Sequence, residues 1–201
     1  MSASREPSET NDLRRLIVIA GHRGDRALVE AHLDHIDPGV RTAALGALHR
    51  LGRLDAGRIA RAVDDRSPIV RRRAAELAAS VPGCDLLPFL HDADSDVVEM
   101  AAWSAGEVAD PSPELVDRLI ELASRHDDAL IREISVAALG ALGDERALPT
   151  ILSACDDKPT VRRRAVLALA PFDGAEVRAA LERAKSDRDW QVRQAAEDLL
   201  G

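Results

Sequence analysis

The residue types that could support chemistry are few and scattered in this chain. His32 and His35 stand three residues apart and could share a metal ion, but no third ligand follows at a fixed spacing. Cys84 and Cys155 are far apart in the sequence and match no metal-ligand spacing. We therefore expect solvent-facing histidines, two lone buried thiols, and no bound metal or cofactor.

Sequence patterns of catalysis and of nucleic-acid binding are also missing. The chain has no GxSxG elbow and no glycine-rich phosphate loop after a strand. Its formal net charge is −8, whereas nucleic-acid binders carry a basic surplus that neutralises phosphates. We expect a protein without enzymatic activity that does not bind nucleic acid.

The composition predicts an all-α fold in an aqueous compartment. Hydrophobic residues make up 46% of the chain, yet there are only two Phe, two Trp and no Tyr. A core of Ala, Leu, Val and Ile favours close helix packing over a sheet. No apolar run approaches the ~18 residues of a membrane span, and the first ten residues lack the apolar core of a signal peptide. We expect a cytoplasmic protein with no membrane association.

A Val-Arg dipeptide, or a close variant, recurs along the chain and defines a repeat. Its apolar residue, position 0, is followed by a small residue at position +4, and positions 0, +4, +7 and +8 share one face of a helix. A spacing of 28 to 33 residues fits two short helices and two turns. The residues at position 0 are Val40, Val70, Val98, Ile131, Val161 and Val192.

An acidic turn precedes each position 0, as in Asp37-Pro38, and a further amphipathic stretch precedes each turn. Asp accepts the free amides of a helix start, and Pro fits the first helical position. Each repeat is therefore a pair of helices. The sequence predicts a flexible tail over residues 1–10 and a single repeat domain over 11–201, with a capping helix at 11–21 and helix pairs over about 25–52, 55–80, 84–109, 113–142, 144–170 and 174–200.

The stretch from Gly143 to Leu169, GDERALPTILSACDDKPTVRRRAVLAL, resembles a HEAT repeat of the short bacterial kind, often called the phycobilisome-lyase HEAT-like repeat. The resemblance covers about residues 25–201. It implies an armadillo-like, right-handed α-solenoid of about six helix pairs, in which the second helix of each pair lines a groove. Such a fold serves many purposes and does not by itself specify a function.

Enzymes on the same fold give the alternatives to a binding role. Bilin lyases of the phycobilisome use these repeats, and DNA glycosylases built from them need a basic surface and a catalytic carboxylate. An accessory subunit of an enzyme complex is a third alternative. HEAT-like deoxyhypusine hydroxylases hold iron through His-Glu pairs, and this chain has none.

Arginines cluster where the second helices begin, at residues 71–73 and 162–164. We expect the arginine at position +1 to bond the acidic turn of its own or the neighbouring repeat, which would form a structural ladder. Arginines at +2 and +3 have no such partner in the pattern and are candidates for a binding ridge.

Helix geometry places positions +2 and +6 on the outward face of each second helix. Trp103 either contacts a partner there or fills space between the third and fourth repeats, whereas Trp190 is expected to pack locally. Exposed Trp and Met beside Arg are typical of protein-interface hot spots. The predicted partner-binding residues are Arg72, Met100, Trp103, Ser104, Glu107, Glu133 and Arg163. The sequence thus predicts a non-catalytic scaffold or adaptor for a protein partner, and leaves the partner and the oligomeric state open.

Overall fold

The computed structural model describes residues 6–201, and all of the regular structure in that range is helical. The all-α class predicted from composition is therefore confirmed. The chain divides into two compact units where the sequence predicts one repeat domain. The N-terminal unit ends at Phe89 and the C-terminal unit begins at Leu90, so the division falls within a single helical turn.

The N-terminal unit is built from two layers of helices. In one layer α1 packs against α3 and α3 against α5, while α2 and α4 pack against α3 and α5 from the other layer. We call the helices of the first layer B helices and those of the second layer A helices. The helices are α1 (Glu6–Arg23), α2 (Arg26–Glu30), α3 (Pro38–Arg50), α4 (Ala56–Val63) and α5 (Pro68–Ala78), followed by the short α6 (Leu87–Leu90) at the division.

The C-terminal unit repeats this arrangement. Its B helices α7, α9, α11 and α13 pack consecutively, and the A helices α8, α10 and α12 pack against α9, α11 and α13. A 3-10 turn (Glu145–Ala147) leads into α10. The helices are α7 (Ser95–Ala105), α8 (Pro113–Arg125), α9 (Ala129–Leu142), α10 (Leu148–Ala154), α11 (Pro159–Ala168), α12 (Ala175–Ala184) and α13 (Trp190–Leu200).

The repeat pattern correctly identifies the core. All six residues assigned to position 0 are buried, and so are the small residues four positions later. Short side chains at +4 allow a neighbouring helix to approach closely, which explains how the layers pack with only two buried aromatic side chains, Phe89 and Phe172. The acidic turns also act as expected in four B helices, where an Asp side chain accepts an amide of the first turn in α3, α7, α9 and α13.

The N-terminal helix begins earlier than the sequence predicts. It begins at Glu6 rather than residue 11, so residues 6–10 of the predicted flexible tail are helical, and residues 1–5 lie outside the described residues. Glu9, in the first turn, favours this early start because negative charge near a helix N-terminus is stabilising. The helix also packs as a B helix on α3, with Ile17 at 0% exposure in the contact layer.

Candidate protein-binding surface

Two arginines at position +1 in the C-terminal unit are bound to the acidic turn of the next repeat. Nε and Nη2 of Arg132 both donate to the carboxylate of Asp157 at 2.7 Å. Arg162 makes the same forked contact with Asp187, at 2.9 and 2.7 Å. This two-point geometry is the strongest pairing available between these side chains. The predicted arginine ladder is confirmed at both positions.

The third nitrogen of each guanidinium ties the arginine to its own turn. Nη1 of Arg132 donates to the backbone carbonyl of His126 at 2.7 Å, and Nη1 of Arg162 donates to that of Asp157 at 2.9 Å. Hydrogen bonds from Arg132 hold the pKa of Asp157 below its ordinary value. These arginines join consecutive turns and are not available to a partner.

The N-terminal unit contains one equivalent forked contact, made by Arg41, and a related contact in which Arg14 reaches a single carboxylate oxygen. Arg41 donates to Asp65 through Nε at 2.7 Å and Nη2 at 2.6 Å. Arg14 of α1 donates to Asp37 through Nη2 at 2.7 Å. Leu13-Arg14 is therefore a further copy of the dipeptide, which the sequence analysis missed because its spacing to Val40 is only 27 residues.

In α7 the structure corrects the register of the repeat. Val97 and Ala101 are 0% exposed, whereas the residues that match Val97 in the assigned register, Ile69 in α5 and Leu130 in α9, are 52% and 46% exposed. Position 0 of this repeat is therefore Val97, one residue before the assigned Val98. Two adjacent valines made the choice ambiguous, because the repeat has no arginine after either of them.

The corrected register explains why Trp103 of α7 is exposed and why its neighbour Ser104 is buried. Trp103 takes the outward position +6 and is 55% exposed, so the first of its two alternatives, contact with a partner, is open to it. Ser104 takes position +7, where Ala138 and Ala168 stand in the next two B helices, and it is 0% exposed. The prediction that Ser104 contacts a partner is therefore wrong, because its side chain lies in the helix contact layer.

The other predicted partner-binding residues divide between the two units. Arg72 lies on α5 of the N-terminal unit and is exposed. In the C-terminal unit, Glu107 and Arg163 are exposed, while Met100 and Glu133 are half-buried. Glu133 also forms a long ion pair of 3.7 Å with Arg164 of α11.

Three further apolar side chains are exposed in the C-terminal unit, and of these the sequence pattern places only Leu167 at an outward position, +6. Leu130 at the start of α9 is 46% exposed, Leu167 on α11 is 36% exposed, and Trp190 at the start of α13 is 64% exposed. The expectation that Trp190 packs locally is wrong, because it occupies the first helical position, which points away from the contact layer. Apolar residues at positions that are polar in an amphipathic helix were the available signal.

Leu167 and Trp190 line one shallow groove between α11 and α13. The groove has a volume of about 120 Å³, and Arg163, Gln194 and Asp198 lie at its edges. Polar groups around an apolar centre match the usual anatomy of a protein interface. Each B helix of this unit thus presents one large exposed apolar residue, namely Trp103, Leu130, Leu167 and Trp190.

The two histidines considered as metal ligands bond the backbone, and the two cysteines expected to be buried are half-buried. The rings of His32 and His35 are 6.0 Å apart, but Nδ1 of His32 bonds the carbonyl of Leu28, and Nδ1 of His35 accepts the amide of Asp37. Among residues 6–201 no group of three or more His, Cys, Asp or Glu side chains is placed to hold a metal ion. Burial raises the pKa of the Cys155 thiol to about 11, which suppresses the reactive thiolate.

Solved structures share this arrangement of helices at low sequence identity. The Escherichia coli protein YibA matches with a TM-score of 0.62 and 19% identity, over 98% of this chain and 74% of that one. A designed armadillo repeat protein in complex with the peptide (KR)4 matches with a TM-score of 0.61 and 18% identity, over 86% and 96%. Human deoxyhypusine hydroxylase in complex with glycerol has a TM-score of 0.49 and 20% identity, over 94% and 77%.

The fold and a sequence-family match point to the same family. The first two structural matches confirm the α-solenoid fold class. Within the described part of the chain, no helix is both long and apolar enough to cross a bilayer. No curated protein sequence matches the chain. The model of HEAT repeats matches residues 82–160 and 116–201, which together span 120 of the 201 residues. This chain belongs to the HEAT-repeat family.

Proposed function

We propose that this protein is a non-catalytic scaffold that binds a protein partner through the outward face of its B helices. The observation that carries the proposal is the row of exposed apolar residues on α7, α9, α11 and α13. Trp103, Leu130, Leu167 and Trp190 are large apolar side chains that are 36% to 64% exposed, and Leu167 and Trp190 lie together in one groove. Two of the four are tryptophans, the residue type most enriched at interface hot spots.

Charged side chains around this row supply the polar rim of the proposed interface. Glu107 and Arg163 are exposed, and Gln194 and Asp198 border the groove that contains Leu167 and Trp190. Mixed charges favour a protein partner over a polyanion, because phosphate recognition needs a continuous basic surface.

The structural comparison supports a peptide-like occupant. The designed armadillo repeat protein was solved in complex with the peptide (KR)4, and its fold is similar to the one described above. Stacked helix pairs present an elongated surface that suits a partner segment in extended conformation. We propose that the partner lies across consecutive B helices of the C-terminal unit.

The test is affinity capture from the native host with wild-type protein, followed by direct titration of the captured protein. The variant to compare is Trp103→Ala with Leu167→Ala and Trp190→Ala. Hot-spot truncations cost ~2 kcal/mol or more each, so affinity should fall by at least about a hundredfold. Helical content should be unchanged, because all three side chains lie outside the core.

A matched control removes exposed apolar surface elsewhere. Ile36 is 72% exposed in a turn of the N-terminal unit, so Ile36→Ala should leave affinity unchanged. Equal binding by the triple variant and the wild type would place the interface on another surface. Turnover of a substrate by the purified protein would contradict the non-catalytic assignment.

A further inference from the structure

A second groove lies on the B-helix face of the N-terminal unit and has a different chemical character. It has a volume of about 410 Å³ and runs between α1, α3 and α5. Ala43, Gly46 and Ala47 of α3 form its floor. Val18 of α1 and Ile69 of α5, which are 40% and 52% exposed, stand on its two walls.

The groove exists because α3 has small residues where other B helices carry larger ones. Gly46 is at position +6, which holds Glu76 in α5, Trp103 in α7 and Leu167 in α11. A Cβ atom at Gly46 would lie 2.8 Å from Nη2 of Arg73, so the guanidinium of Arg73 rests directly over this glycine. Nη1 of Arg73 is held there by Glu76 at 2.7 Å.

Three arginines surround this floor, in a chain whose net charge is −8. Arg50, Arg72 and Arg73 line the groove with a single carboxylate, Glu76, so the lining carries a net charge of +2. Arg50 and Arg72 make no hydrogen bond or ion pair with any other side chain between residues 9 and 201, in contrast to the ladder arginines. Nη1 of Arg50 leans toward α1, 3.3 Å from where a Cβ of Gly21 would be.

We propose that this groove binds an acidic segment of a protein partner, in which carboxylates flank an aliphatic side chain. Arg50 and Arg72 each offer a planar donor fork that matches a carboxylate. Val18, Ile69 and the small floor residues accept the aliphatic group between them. The groove lies in a different unit from the row of apolar residues proposed above, so the inference stands on separate observations.

Other anionic partners fit the groove less well. Single-stranded nucleic acids bind by stacking their bases on aromatic rings, and no aromatic side chain lines this groove. Glu76 lies within the lining and would repel a closely spaced row of phosphates. Carboxylates separated by an aliphatic residue can avoid Glu76 while reaching both unpaired arginines.

The test measures binding of a fluorescein-labelled nonapeptide made of three Glu-Leu-Glu triplets, by fluorescence anisotropy at low salt. The wild type should bind this peptide more tightly than the matching peptide of Lys-Leu-Lys triplets and more tightly than a nonamer of oligothymidylate. Arg50→Ala with Arg72→Ala should weaken binding about tenfold, from two partly exposed charge pairs. Ala43→Leu, which fills the floor without changing charge, should also weaken it.

The controls separate a specific site from general attraction. Arg53→Ala with Arg61→Ala removes the same charge from exposed positions outside this groove and should leave binding within about twofold of wild type. The proposal is overturned if both double variants lose the same affinity for the peptide, or if the Arg50 and Arg72 variant binds it as the wild type does. Tighter binding of the thymidylate than of the peptide would overturn it as well. The Trp103, Leu167 and Trp190 variant should bind the peptide normally, so this inference and the proposed function can fail independently.

Discussion

At the residue scale, adjacent arginines in one helix have opposite roles. Arg162 is 5% exposed and joins two turns through the ladder, whereas its neighbour Arg163 is exposed at the edge of a groove. The repeat predicts this difference, because position +1 points toward the next turn and position +2 points outward. An arginine cluster in such a chain is therefore not a uniform basic patch.

The ladder predicts a specific dependence of stability on pH. Hydrogen bonds from Arg132 and Arg162 lower the pKa values of Asp157 and Asp187 in the folded protein. The stabilisation is therefore fully present above the unfolded carboxyl pKa of about 3.9 and is lost as the pH falls through the lower folded values. Asp157→Asn should reduce the free energy of unfolding near neutral pH by about 2 kcal/mol.

Urea unfolding followed by circular dichroism near neutral pH and at about pH 3 measures this effect. The difference between Asp157→Asn and wild type should begin to shrink at about pH 3, because the unfolded carboxyl, with a pKa of about 3.9, is largely protonated there and must lose its proton for the ladder contact to form. Asp173→Asn, at an exposed residue, is the control and should match the wild type at both values. A difference that stays constant with pH would contradict an ionic role for the ladder.

At the element scale, the B helices approach one another through small residues. A Cβ atom added at Gly140 of α9 would lie 2.6 Å from the Cα of Ala168 in α11. A Cβ added to Gly106, directly after α7, would lie 3.2 Å from the Cα of Ala138 in α9. The glycines at position +9 and the alanines at position +7 thus set the distance between neighbouring helices.

Gly140→Ala should destabilise the protein although alanine favours helices. The new methyl group meets the backbone of α11, which cannot move as a side-chain tip can, so overpacking should cost about 2 kcal/mol. Gly57→Ala on α4 is the control, because its Cβ would meet nothing closer than 3.4 Å. That change should be neutral or stabilise by about 0.5 kcal/mol. Thermal unfolding should give a lower midpoint for Gly140→Ala than for Gly57→Ala. Equal midpoints for the two variants would contradict close contact at Gly140.

Some features of the helices could be predicted from the sequence and others could not. The positions of the helix pairs and their buried faces follow from the spacing of the apolar residues. An apolar helix face that recurs about every thirty residues is buried by packing against the same face of the next pair. The register of α7 did not follow, since Val97 and Val98 are chemically alike and only tertiary packing chooses between them. The helical role of residues 6–10 was missed because their polar composition carries no core pattern.

At the scale of the whole molecule, the sequence predicts the fold more completely than the binding surface. The exposed row was only partly predicted, through Trp103 and the outward position of Leu167, because Leu130 and Trp190 resemble core residues in composition. The exposure of a side chain depends on which neighbouring helix covers its position, and this is decided by how the two layers of helices pack. The same dependence removed Ser104 from the predicted site.

Tryptophan fluorescence measures the central claim most directly, because Trp103 and Trp190 are the only tryptophans and the chain has no tyrosine. Acrylamide should quench both indoles efficiently in the free protein, since they are 55% and 64% exposed. Saturation with the captured partner should shift the emission to shorter wavelength and reduce quenching. Trp103→Phe and Trp190→Phe, each leaving one indole, should both show this protection. Unchanged quenching of both indoles in the saturated complex would contradict the account.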